Sequence, residues 1–557
     1  SASIYGSRGA NGVVLVSTKK GASGRTKISV NASVGTQRML NKQELINAQE
    51  YYDLVNFANP DNVWNAAELR LLSRGESTDW QDAVMQNGNY QNYNVSVSGG
   101  TENITHYLGL DWYDQKGTIK GSSFDKLTVR YNMDAKGSKF FRYGLRFNVI
   151  ESNLHNINEE QDSGYGTMHS AISSQPTAPI FNDDGTYFDD FPNTRANPVA
   201  IVDLLDKVTK KSRIVGGVYF EVEPIKNLIF RSSNDGELVF YRDNLFEDGA
   251  MGQHYTEGGH ARIMSNKKRF WQSENTLSYK HNIGKHSFTA MGGFSASNTF
   301  YEEATADSKN LSSILKYYYL QGAEDHGPNS SWAVESSLVS FYGRLNYTFY
   351  DRYLATFTMR ADASSRFAPG NKWGYFPSLA LAWRISEEDF VKNNLPVISN
   401  MKLRLSAGQL GNQNIGDFQY LARIRLDGNY VLGNSQVSGS IPISVSNPDL
   451  TWETTNQYDL AIDFGLFNNR IAGTLETYYK STTDLLWSVP MPLESGYNST
   501  LKNVGQIDNK GVEFSLNTVN VTTKDFLWTS AFNISYNENE IKGCYLIHKK
   551  TMRVEEY

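Results

Sequence analysis

Leu127-Thr128-Val129-Arg130-Tyr131-Asn132-Met133-Asp134 alternates apolar and polar side chains without an exception. In an extended chain successive side chains point to opposite faces. Leu127, Val129, Tyr131 and Met133 therefore share one face, and Thr128, Arg130, Asn132 and Asp134 the other. The pattern returns at 341–349, where Phe341, Leu345, Tyr347 and Phe349 oppose Tyr342, Arg344, Asn346 and Thr348. It returns again with Tyr458, Leu460, Ile462 and Phe464 against Asp459 and Asp463, and with Val512, Phe514 and Leu516 against Glu513, Ser515 and Asn517. Trp528, Phe532, Ile534 and Tyr536 oppose Asn533, Ser535 and Asn537. About 17 such segments are expected, each an antiparallel strand with one apolar and one polar face.

A soluble sandwich also alternates, so the connections decide between it and a barrel. Short turns are predicted at 99–103, 136–138, 223–227, 281–285, 350–352, 467–469 and 522–524, with one longer turn at 386–399. Between them lie long polar connections at 38–88, 115–123, 152–211, 237–267, 298–334, 363–374, 411–453 and 482–508. Short turns at one end and long loops at the other are the plan of an outer-membrane barrel. Tyr107, Trp112 and Tyr113, or Tyr478, Tyr479 and Trp487, bracket strand ends as interface aromatics do. The fold class expected is all-β, a large antiparallel transmembrane β-barrel.

Composition agrees. Across 557 residues there are 53 basic and 59 acidic side chains, a net charge of −6. A nucleic-acid partner would call for a basic surplus. Hydrophobic residues are 39% and mean hydropathy is −0.48, with no apolar run long enough for a membrane helix. Aromatics reach 13%, and a single Cys, Cys544, leaves no intramolecular disulfide. Period two explains the apparent conflict, because an apolar residue at every second position averages away. No initiating Met and no basic-then-apolar leader are present, so no targeting segment is read.

The opening, Ala2-Ser3-Ile4-Tyr5-Gly6-Ser7-Arg8-Gly9-Ala10-Asn11-Gly12-Val13-Val14-Leu15-Val16-Ser17-Thr18-Lys19-Lys20-Gly21, reads as two glycine turns followed by a short buried strand over Val13–Val16. It resembles the last segment of the plug domain in SusC/RagA-type TonB-dependent transporters of Bacteroidetes, with Tyr5, Gly6, Arg8, Asn11 and Gly12 carrying the plug motif. Gly408-Gln409-Leu410-Gly411-Asn412-Gln413, Asn447-Pro448-Asp449-Leu450-Thr451-Trp452-Glu453 and the stretch from Asn503 to Glu513 are similar to the same family. The likeness extends to about residue 540. It implies residues 1–24 as the end of a plug and 25–557 as a barrel of about 22 strands, some five more than are counted, so an incomplete chain is expected. It further implies a multi-pass outer-membrane location and work with TonB and its inner-membrane motor. A SusD-like surface lipoprotein, a glycan or peptide substrate, contact with outer-membrane lipid and a dimer of such pairs are implied as well. The final residues Thr551–Tyr557 do not match the family's continuation.

No catalytic constellation is found: neither His-Glu-x-x-His, nor Gly-x-Ser-x-Gly, nor a phosphate-cradling glycine loop. The chain is expected not to be an enzyme. His281 and His286 flank one turn and read as a solvated pair rather than a metal site. Asp183 and Asp184, followed by Gly185 and near Asp189 and Asp190, form the best cation candidate, for Ca²⁺. An Asp-Gly turn is the competing reading, and no cofactor is otherwise implied. Asp362 and Arg366 open a loop above a strand, where they can touch a polar substrate or form a rim ion pair. Trp64, Trp332, Trp373, Trp452 and Trp487 lie in or beside the long connections. They either stack on sugar or peptide groups or pack the loops and the interface girdle. Charge facing lipid at midplane costs about 2–4 kcal/mol, so Arg130, Arg344, Arg384 and Arg404 should face the lumen. Active import of a large polar nutrient is the function expected, with a non-transporting adhesin or assembly scaffold as the alternative.

Overall fold

A computed structural model describes residues 2–10, 12–157, 166–191, 196–251, 258–426 and 428–543, with the side chains of Ala2 and Ser3 left aside. Asn11, Cys544 and Thr551–Tyr557 lie outside the described residues.

Seventeen long strands form one antiparallel meander in sequence order. Five strands of 13–15 residues come first: β1 (Gly24–Gln37), β2 (Gly88–Gly100), β3 (Ile104–Lys116), β4 (Ser123–Lys136) and β5 (Phe141–His155). A tall wall of 20–26 residues per strand follows: β6 (Asp206–Ile225), β7 (Leu228–Glu247), β8 (Gly259–Ile283), β9 (His286–Leu311) and β10 (Ser330–Phe349). A low wall of 12–15 residues per strand comes next: β11 (Tyr353–Ser364), β12 (Trp373–Arg384), β13 (Ile398–Asn412), β14 (Glu453–Leu466) and β15 (Ile471–Thr483). The last two are β16 (Gln506–Thr522) and β17 (Leu527–Gly543). Among the described residues β1 pairs only with β2 and β17 only with β16, so the sheet has two free edges.

Register carries the alternation around the wall. Leu110, Val129, Val149, Ile214 and Leu238 are successive cross-strand partners on the outer face. Leu381, Leu405, Leu460, Thr477 and Val512 do the same on the low wall and beyond it. The polar ladder Arg130, Asn148, Val215 and Glu237 faces the lumen. Arg344, Arg384 and Arg404 share that inward parity, as lipid-side charge cost requires.

Two sequence expectations change. The connections read at 237–267 and 298–334 are largely strand, since β7 runs to Glu247, β8 begins at Gly259 and β9 runs to Leu311. Above the membrane both faces meet water, so the two-residue pattern fades while the ladder continues. Val13–Val16 is not a buried strand: the segment 12–22 is irregular, and Val14 is 90% exposed. A β-prone run without a partner strand leaves its ladder bonds unmade.

The long connections fold on themselves. Residues 38–87 contain helices Ala48–Ala58 and Ala66–Ser73, both started by capping boxes at Asn47 and Asn65. With the connection 156–205 they enclose a core of Trp80, Val84, Ile157, Phe188 and Phe191. The connections above the low wall close over Leu338, Phe367, Phe376, Leu450 and Trp452.

Candidate functional site

On β11, residues two apart share a face, so Arg360 and Asp362 both point into the lumen. The Arg360 Nε donates to Asp362 Oδ1 at 2.7 Å, and the pair is 2% and 0% exposed. Each partner keeps hydrogen-bonding capacity to spare, and the N-terminal segment takes it up. Arg360 Nη1 donates to the Ile4 carbonyl at 2.8 Å, and Asp362 Oδ2 accepts the Ser7 amide at 3.0 Å. Arg360 Nη2 also donates to Ser340 Oγ at 2.9 Å, and its guanidinium lies 5.1 Å from the Tyr342 ring centroid. Tyr342 in turn donates to Glu274 Oε1 at 2.6 Å. Gly6 sits at φ +51°, and a Cβ there would fall 2.3 Å from Arg360 Cδ. Only glycine permits that turn to seat on the guanidinium.

The segment then crosses the lumen. Arg8 donates to Gln272 on β8 at 2.8 Å, and Lys480 on β15 donates to the Ala10 carbonyl at 2.7 Å. Asn132 on β4 donates to the Lys19 carbonyl at 2.8 Å, and Gly21 packs on the His106 backbone of β3. Residues 4–10 and 12–21 are thus a tether fastened at points around the inner wall. A buried ion pair recovers its desolvation cost only when every donor and acceptor is engaged; here the tether's backbone completes the set. Tyr5, Gly6 and Arg8 of the motif belong to this clamp or its neighbourhood, while Gly12 only turns the chain at φ +92°.

The rim pair expected between Asp362 and Arg366 does not form. Asp362 is fully buried on the clamp, and Arg366 instead binds Asp417 Oδ1 at 2.8 Å and the Gln413 carbonyl at 3.2 Å. The loop after β11 turns Arg366 away towards the connection 413–452. Arg360 was missed by sequence reading, although Arg360 and Asp362, opposite charges on one face, are the signal that finds it.

The tryptophans divide. Trp452 is 4% exposed, packs against Phe367 with ring centroids 4.8 Å apart and donates to the Lys372 carbonyl, so it is loop core. Trp373 faces outwards beside Phe341, at 6.3 Å between centroids, as an interface aromatic. Trp64 packs on Tyr51 and Tyr52 and donates to Asn56 Oδ1. Trp487 lies on a hairpin, Leu486–Pro490 with Ser499–Asn503, and is 52% exposed. Trp332 alone of the five stands on the lumen face of the tall wall, 47% exposed. Its ring lies tilted against Tyr301 at 4.9 Å between centroids, and both donate to Glu303, at 3.2 and 2.6 Å. The result is an aromatic shelf with a carboxylate at its edge.

The carboxylates read as either a Ca²⁺ candidate or an Asp-Gly turn have protein partners. Asp183 pairs with Arg70 at 2.8 Å. Asp184 accepts the Thr186 hydroxyl and amide, which hold its carboxyl below the ordinary range and close the Gly185 turn. Among the described residues no group of three or more metal-ligating side chains converges. His286 hydrogen-bonds Tyr347, and His281 stacks on Tyr279, within the turn expected for them. In the lumen of the low wall, Arg404 is held by Asp463 and Glu476. It lines a cavity of about 450 Å³ together with Lys402, Asp459 and Gln457.

A membrane-sized antiparallel wall with an apolar outside, a charged inside and a tethered segment across it defines an outer-membrane barrel of the plugged kind. The chain belongs to the family described as TonB dependent receptor-like, beta-barrel, whose model matches residues 20–548. It is 35% identical to TonB-dependent receptor P26 of Formosa agariphila and 31% identical to TonB-dependent receptor SusC of Bacteroides thetaiotaomicron. Each match covers 97% of this chain and 55% of the relative, so the chain spans about half their length. The fold is shared with the RagAB peptide transporter structure, at a TM-score of 0.86 and 24% identity, over 98% of this chain and 64% of that one. The outer-membrane location expected from the strand pattern agrees with this membership.

Proposed function

We propose that the protein to which this chain belongs imports a large polar nutrient, an oligosaccharide or a peptide, across the outer membrane at the expense of TonB-transmitted force. The observation that carries the reading is the tether: a segment held across the lumen by backbone contacts to Arg360, Asp362, Lys480 and Asn132. A barrel blocked by a fastened segment needs work to open, and a pull along the chain breaks such contacts one after another. The shelf of Trp332, Tyr301 and Glu303 offers stacking and a hydrogen-bond acceptor at the mouth, chemistry suited to a polar cargo. A SusD-like surface lipoprotein fits as the lid over that mouth. No bond of the cargo is broken or made. The test is uptake of labelled nutrient by cells carrying the full-length protein, with and without TonB. Import is expected to cease without TonB; uptake that persists overturns the reading in favour of a passive or scaffolding barrel.

A further inference from the structure

The aromatic shelf at Trp332 is one end of a longer inward row. Cross-strand pairing carries the row from Tyr113 on β3 through Lys126, Ser152 and Lys211 to Tyr241 on β7. Asn266 and Glu303 continue it to Trp332 on β10. Its parity is that of Asn132, Glu274 and Tyr342, whose side chains meet the tether or the clamp, so the whole row faces the lumen. Tyr113 lies near the outer end of β3 and Trp332 near that of β10, so the row keeps to the mouth. Seven strand spacings of about 4.8 Å make it about 34 Å long along the wall.

Its first half combines rings with free cations. Tyr90 lies across Gly35, where a Cβ would fall 2.4 Å from the ring. The Tyr113 ring stands beside it, with centroids 6.4 Å and planes 21° apart. Lys126 Nζ is 5.7 Å from the Tyr113 centroid, and Lys211 is exposed two strand spacings further on, about 10 Å away. Among the described residues neither lysine has a carboxylate within ion-pair distance. The acids around them are taken up: Glu237 pairs with Arg213 and Lys268, and Asp243 accepts the Thr209 hydroxyl. Asp111 lies one row deeper, opposite Thr128, and pairs with neither lysine. Glu303 stands three spacings from Lys211, about 14 Å, beyond the screening length of about 8 Å at physiological salt. Deeper in the lumen Arg146 lies over the Tyr219 ring at 5.6 Å, so the positive face continues inwards.

We propose that this half of the row binds an acidic oligosaccharide on its way in, with carboxylate or sulfate groups on Lys126 and Lys211 and pyranose faces on Tyr90 and Tyr113. The inference rests on the import reading and narrows its cargo. A neutral sugar would use the rings and leave both lysines idle. An acidic peptide would use the lysines and bring no apolar ring face to the tyrosines. A chain of sugar rings that carries anionic groups uses both.

The test is equilibrium binding of labelled probes to the full-length protein in detergent, measured beside uptake by cells with and without TonB. The probes are oligogalacturonate, an oligosaccharide of sulfated galactan, the uncharged counterpart of each, and oligoglutamate. At least one acidic sugar should bind about tenfold or more tighter than its uncharged counterpart and than oligoglutamate. K126Q/K211Q should lose that margin while binding the uncharged sugar as wild type does, and K126R/K211R should keep it. K210Q, which removes the outward neighbour of Lys211, should change nothing. Equal binding of acidic and uncharged sugars overturns the proposal, as does a margin that survives K126Q/K211Q. Oligoglutamate bound as tightly as the acidic sugars overturns it in favour of a general anion site. Loss of the uncharged sugar as well in K126Q/K211Q makes the lysines structural and overturns it too. Any of these results leaves the import reading standing where uptake still requires TonB; uptake without TonB, with the acidic margin intact, sinks the import reading alone.

Discussion

The tall wall and the low wall raise the barrel's rim by different means. The tall wall continues the ladder, so that strands of 20–26 residues carry backbone hydrogen bonds well above the membrane. The low wall stops at 12–15 residues and is topped by loops folded over Phe367, Phe376, Leu450 and Trp452. The difference decides which side chains are free. A ladder is held mainly by its backbone, which leaves both faces available: Trp332 inside, Lys210 and Arg242 outside. A packed loop spends its large side chains on its own core, and Trp452 is the example. The tall wall thus offers exposed side chains on both faces, while the buried clamp of Arg360 and Asp362 stands on the low one.

The comparison breaks most severely at the clamp. Asp362→Ala leaves the buried Arg360 guanidinium unpaired, at a cost of about 4 kcal/mol. Residues 4–21 should become sensitive to added protease in the full-length protein, while the tall wall keeps its protection from hydrogen exchange. A tether as resistant as wild type would remove Asp362 from the clamp. Trp452→Ala should cost about 3 kcal/mol as a core truncation. Exchange should rise across 413–452 and stay unchanged across 286–311. If both segments loosen together, the two walls do not hold their rims separately.

The smallest effect sharpens the tall wall. Near its top His260 bridges Glu247 at 2.7 Å and Asp307 at 3.0 Å, joining β7, β8 and β9 well above the membrane. The hydrogen bond to Glu247, aided by Asp307, raises its pKa above the ordinary 6.5. Because the folded value is the higher one, the stabilisation is fully present below 6.5 and is lost as pH rises through the raised value. Protection factors at the tips of these strands, with the intrinsic pH dependence of exchange divided out, should be higher at pH 6 than at pH 9, and His260→Gln should abolish the difference. A pH response that survives the substitution assigns it to another group.

What could be read from sequence follows the solvent. Where one face meets lipid, as at Leu127–Asp134, alternation is strict and strand and facing are both legible. Where both faces meet water, as at Glu302–Glu303, the ladder persists with no pattern to announce it, so the upper parts of the tall wall at 237–267 and 298–334 read as connections. Site residues suffered from a related blindness. A tryptophan in a connection looks the same whether it is core, like Trp452, girdle, like Trp373, or exposed in the lumen, like Trp332. Strand parity sorts the last two, because Trp373 and Trp332 fall on opposite faces of their strands. The Asp362–Arg366 pairing failed because neighbours along the chain were preferred to neighbours on one face, two residues apart.

The tether also sets a condition on assembly. Ser7 meets Asp362 across 355 residues of chain, and Lys480 meets Ala10 across 470. Contacts so distant in sequence are reached late and at a high entropic cost. The tether therefore waits, unfastened, until β11 and β15 exist, and the wall must form around it rather than before it. Order of synthesis and order of fastening run in opposite directions. A folding defect at Arg360 would thus be expected to trap a finished wall around a loose thread.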